Sequence, residues 1–100
     1  MDIEKIGKTQ LELSSKFWRK REQSPLAYTN EDTVLYMALV YEFGRNNCNN
    51  PVKLSDRHLD NLTSLGTIPI SQSRNNLKNN NLISFKESDG GIEYTICLGH

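Results

Sequence analysis

Apolar positions along this chain change their spacing three times, and each change marks an element. From Thr9 to Glu22 the apolar residues Leu11, Leu13 and Phe17, with Trp18 beside them, are set loosely at helical intervals. Ile3 and Ile6 extend the pattern backwards across Gly7, which interrupts it. Pro25 closes this element, because the residue before a proline is pushed away from helical geometry. Thr29-Asn30-Glu31-Asp32 then opens a second helix, with Thr29 or Asn30 as the N-cap and two carboxylates in the first turn. Its body, TVLYMALVYEFG, has so few polar positions that it predicts a buried central helix carrying Val34, Leu35, Ala38, Leu39, Tyr41 and Phe43 inward. Gly44 is the expected C-cap.

The second half is denser in signals. Pro51-Val52-Lys53-Leu54 is a short extended stub, and Ser55 caps a helix whose apolar side is Leu59, Leu62 and Leu65 and which ends at Gly66. Thr67-Ile68-Pro69 predicts a turn, followed by a helix from Pro69 or Ile70 to Asn80 with Ile70 and Leu77 inward, beside Ser73 or the aliphatic stem of Arg74. Asn81 is expected in the left-handed conformation. Leu82-Ile83-Ser84-Phe85 and the alternating run Ile92 to Leu98 flank the hairpin signal Ser88-Asp89-Gly90-Gly91. Helix, turn, helix and hairpin in that order predict an α+β, mainly α fold. It is a winged helix-turn-helix of about four helices with a C-terminal β-hairpin wing. Residues 1–24 form an N-terminal helical arm and residues 25–100 the winged helix-turn-helix domain, the whole making one compact unit.

Composition narrows the function classes. With 100 residues the chain holds one small domain, and it carries 12 basic against 12 acidic residues. That balance hides an asymmetry: from Arg45 to Lys86 six basic residues face only Asp56 and Asp60. A second basic knot, Lys16, Arg19, Lys20 and Arg21, precedes Glu22. Local positive charge of this kind suits phosphate contact. Asparagines form two clusters, Asn46 to Asn50 and Asn75 to Asn81, which fit turns as well as adenine recognition. Cys48 and Cys97 are far apart and have no ligand partners at metal spacing, pointing to free thiols in the cytoplasm and to no metal or cofactor. No apolar run reaches membrane-spanning length. His58 is a solvated or capping histidine on this evidence, His100 is terminal, and no nucleotide-binding, hydrolase or zinc-protease motif is present, so an enzyme is not expected.

The expected partner is double-stranded DNA. On the second helix of the pair, Ser71, Gln72, Arg74, Asn75 and Lys78 are the candidate recognition residues, with Asn76 and Asn79 on the same polar side. Amides pair with adenine, arginine with guanine, and hydroxyls and lysine with phosphate. Lys53, Arg57, Lys86 and Ser88 are the candidate phosphate and wing contacts, with Glu87 and Asp89 opposing them. Phe17 and Trp18 are the candidate oligomer interface of a homodimer. The competing expectation is a protein-interaction winged helix that does not bind DNA.

Several of these features together resemble a known family. Phe17-Trp18, Leu35-Tyr36, Asn50-Pro51, Leu54-Ser55, Leu65-Gly66, Leu77-Lys78 and Leu82-Ile83 resemble, over residues 17–96, the N-terminal winged-helix domains of phage and plasmid replication initiators and DnaD-like replisome organisers. Asn81 stands where that family usually has glycine, and Pro69 is a further departure. The resemblance implies origin-DNA binding, self-association and contact with replication proteins. A small transcription regulator of a mobile element would use the same module.

Overall fold

A computed structural model describes residues 3–98, so His100 lies outside the described residues. The elements run α1 (Ile3–Gln23), a 3-10 turn (Pro25–Ala27), α2 (Asn30–Arg45), β1 (Val52–Leu54), α3 (Asp56–Thr63), α4 (Thr67–Asn79), β2 (Ile83–Ser88) and β3 (Gly91–Ile96). This is the α+β, mainly α, winged helix-turn-helix layout. No described helix is long and apolar enough to cross a membrane.

α1 is continuous through Gly7, so the expected interruption does not occur. It runs antiparallel beside α2, burying Leu13 and Phe17. Phe17 stacks on Tyr36 at 4.8 Å and meets Tyr28 edge-on at 5.4 Å. The arm is therefore packed into the same core as the rest. α2 starts with a complete capping box: Thr29 Oγ1 accepts from the Asp32 N–H, and Asp32 Oδ2 accepts from the Thr29 N–H. Gly44 is not its cap. The helix passes through Gly44 to Arg45, and a Cβ at Gly44 would stand 2.0 Å from Gln10 Nε2. The Gln10 side chain crosses there to donate to Val40 O, and its flexible end would have to shift for a larger residue.

α2 is the central helix, with Leu35, Tyr36, Ala38, Leu39, Val40 and Phe43 buried. Val34 and Tyr41, expected inside, are exposed. They lie seven residues apart, two helical turns, and so share the one stripe left open by the neighbouring helices.

The helix-turn-helix is tighter than its sequence suggests. Ser55 Oγ accepts from His58 N–H and opens α3; Ser64 closes it in the left-handed conformation at φ 58°. Gly66, at φ 91°, is already the N-cap of α4, and its N–H donates to Asp60 Oδ1 at 2.8 Å. The turn is thus residues 64–66, and Thr67-Ile68-Pro69 is the first turn of α4 rather than a loop. Proline is tolerated there because a first-turn N–H has no intrahelical acceptor. Leu59 is fully buried, whereas Leu62 is exposed and Leu65 only half-buried.

The sheet is antiparallel in the order β1-β3-β2, with Lys53 and Lys86 both opposite Glu93. Val52, Leu54, Ile83, Ile92, Tyr94 and Ile96 face the core. The Asn50 amide grips the end of β3 from the side: Nδ2 donates to Ile96 O and Oδ1 accepts from Ile96 N–H. Asn81 takes the expected left-handed conformation, and Gly90 turns the wing at φ 83°.

Candidate nucleic-acid interface

Sequence spacing and burial agree on the outward face of α4. Ser71, Gln72, Asn75, Lys78 and Asn79 are all exposed along it, while Ile70, Ser73 and Leu77 point inward. Ile68, one turn below Gln72, joins this face and is 70% exposed. Asn76 does not: its Nδ2 donates to Ala27 O at 2.9 Å and to the Asp32 carboxylate at 2.5 Å, tying α4 to the start of α2.

Arg74 is a correction. It is buried, not presented to solvent. Its Nε donates to the Tyr94 hydroxyl at 2.9 Å and its Nη2 bonds the Asp56 carboxylate. The guanidinium also lies over the rings of Phe85 (5.6 Å) and Tyr94 (5.9 Å). One position round the helix from Asn75, it points into the junction of α3 and the sheet, where its charge is already matched. Burial raises the Tyr94 hydroxyl pKa, and the Arg74 charge opposes that rise.

Of the expected phosphate and wing contacts, Lys53, Arg57 and Lys86 are exposed and the Ser88 hydroxyl is enclosed. Lys53, Glu93 and Lys86 form a row across the outer face of the sheet, with Lys86 Nζ 3.8 Å from the Glu93 carboxylate. Arg57 is exposed on the first turn of α3. Lys78 remains exposed with its ammonium 5.4 Å from the Phe85 ring, on the face of β2 opposite the one that carries Lys86. Ser88 is the second correction: its Oγ is shut off from solvent with no hydrogen-bond partner among the described residues, and it is not presented to a phosphate.

The expected oligomer residues separate. Phe17 is fully buried in its own chain's core and is unavailable to a partner, which corrects that expectation. Trp18 is 51% exposed, with the Arg21 guanidinium over its ring. His58 is not merely solvated: its Nε2 lies 3.0 Å from Glu42 Oε1, which also accepts from Arg45 Nη1 at 3.2 Å.

Electrostatically the face is lopsided. α4 contains no acidic residue. Glu31 and Asp32 of α2 line a groove together with Gln72 and Asn76, so the α2 margin is acidic. The opposite margin carries Lys78, which favours an anion approaching from the wing side. Sequence reasoning missed Ile68, because it read that residue as turn, and missed Asp56 as the partner that claims Arg74. No family model matches the chain, and neither a curated protein nor a solved structure does.

Proposed function

We propose that this chain is a DNA-binding module that seats α4 in the major groove, with Lys53, Arg57, Lys78 and Lys86 on the flanking phosphates. The observation that carries this is the outward face of α4. It is acid-free, polar except for Ile68 and unused in packing, with the exposed Lys78 at its wing end. Recognition helices in this fold class work through such a face. Phosphate contacts supply register and most of the affinity, and the face itself supplies selectivity. The resemblance to replication initiators and replisome organisers supports a role at replication origins of a mobile element, with a small transcription regulator as the other setting for the same module.

Fluorescence anisotropy on a random-sequence duplex tests it. Four phosphate-contacting cations give a log-log salt slope of about −3.6, so affinity should fall about 150-fold between about 50 and about 200 mM salt. Replacing Lys78 and Lys86 together by alanine should make the slope shallower by about 2. Absence of binding at the lower salt refutes the proposal.

A protein-interaction role is the second reading. Trp18 at 51% exposed, together with exposed Leu11 and Ile3 on α1, favours it. A concentration-dependent dimer that survives high salt and is lost in Trp18→Ala would support it.

A further inference from the structure

If the DNA reading holds, the side chains left on α4 also decide which bases it can read. We infer that this face selects A·T pairs from the major groove, with Ile68 against a thymine methyl and Asn75 on an adenine edge.

The argument starts with what has been removed. Guanine is most often read by arginine or lysine gripping its O6 and N7, and cytosine by a carboxylate accepting from N4. The one arginine of α4, Arg74, is buried and bound to Asp56 and Tyr94. α4 has no carboxylate. Lys78 lies in the last turn with its ammonium 5.4 Å from the Phe85 ring, at the edge of the face where the phosphate contact is assigned. Neither G·C chemistry is therefore available on the face between Ile68 and Asn75.

What remains matches A·T. An amide donates and accepts at once, the pattern needed by adenine N7 and N6. Asn75 sits at the centre of the outward face, while Gln72 lies on the margin shared with Glu31 and Asp32. Asn75 is thus the adenine reader and Gln72 an auxiliary. Ile68 is the unexpected element. A β-branched apolar side chain, 70% exposed in the first helical turn, contributes nothing to the core. It stands seven residues before Asn75 on the same face, about 10 Å along the axis. That is about three base-pair steps. In a major groove the apolar feature within reach is the C5 methyl of thymine.

The test begins with selection of duplexes from a fully randomised pool on the whole chain at about 50 mM salt. Enriched duplexes should share a run of A·T pairs. Replacing a contacted thymine by deoxyuridine deletes one methyl and should weaken wild-type binding about fourfold, with no effect on Ile68→Ala. Replacing the contacted adenine by 7-deazaadenine should weaken wild type roughly 5- to 150-fold and leave Asn75→Ala unchanged. Both variants change exposed side chains, and circular dichroism confirms that they fold. Salt-sensitive binding with a G·C motif, with no motif, or with indifference to both modified bases overturns the inference and leaves the DNA reading intact. Absence of salt-sensitive binding to any duplex overturns the DNA reading, and the inference with it.

Discussion

Burial of Arg74 predicts that its partner Asp56 matters more to stability than its own exposure suggests. The Arg74 side chain is 8% exposed and that of Asp56 38%. Asp56→Ala leaves a guanidinium enclosed by Phe85 and Tyr94 with the Tyr94 hydroxyl as its one remaining hydrogen-bond partner among the described residues. Removing one member of a buried pair costs about 3–5 kcal/mol. Because Asp56 itself is partly hydrated, the lower end, about 3 kcal/mol, applies. Arg74→Met removes the charge but keeps the stem, and Asp56 can rehydrate. What is lost is mainly the hydrogen bond at the buried Tyr94 hydroxyl, about 1–3 kcal/mol. The expected order is therefore Asp56→Ala worse than Arg74→Met, and the double substitution milder than the sum. In a domain of this size about 3 kcal/mol lowers Tm by roughly 12–24 °C. Thermal unfolding by circular dichroism, completed as a double-mutant cycle, measures all three. A DNA-binding assay below each Tm completes the comparison. If Arg74→Met leaves Tm unchanged and abolishes binding to DNA, Arg74 is a base contact and the reasoning is refuted.

Three further outcomes follow from other parts of the fold. Asn50→Ala deletes both bonds to the Ile96 backbone and should cost about 1–3 kcal/mol in urea unfolding, with faster amide exchange at Ile96. Gly91→Ala would bring a Cβ to 2.9 Å from the Leu54 carbonyl oxygen, forcing β1 from β3; a loss of about 1–3 kcal/mol is expected. The hydroxyl of Tyr36 is held neutral by burial, with a smaller contribution from Cys97, and its pKa is pushed from 10.0 to about 12. The unfolded chain then ionises first, so stability is intact below pH 10 and falls by about 2–3 kcal/mol towards pH 12. Tyr36→Phe should flatten that part of the stability-pH curve, and an unchanged slope would rule Tyr36 out as its source.

Features written in neighbouring residues could be read before the structure. The Thr29 cap, the Ser55 cap, left-handed Asn81 and the Asp89-Gly90 hairpin each depend on a few adjacent positions, and each is where the sequence puts it. Features that depend on distant partners could not. Arg74 meets Asp56 and Tyr94 across separations of 18 and 20 residues, and without them an arginine on a polar helix defaults to solvent. Val34 and Tyr41 sit in a helix so apolar that its pattern cannot say which stripe stays open. Phe17 and Trp18 are chemically alike neighbours, yet the 100° between them sends one to the core and the other out. Pro69 and Gly66 are ambiguous punctuation: each suits a helix end, and only the left-handed Ser64 shows that the turn precedes them.

The order β1-β3-β2 also has a consequence for how the protein is made. Its middle strand in space follows both of its neighbours in sequence, so during synthesis β1 and β2 leave the ribosome before the strand that pairs with each of them. Until Gly91–Ile96 follows, the inner residues of both are uncovered on one side and every ladder hydrogen bond is unmade. A chain stopped after Ser88 would carry α1 to α4 and neither ladder of this sheet. Assembly of the wing is thus a single late event, and a nascent chain paused in that interval offers two open strand edges to chaperones or to its neighbours.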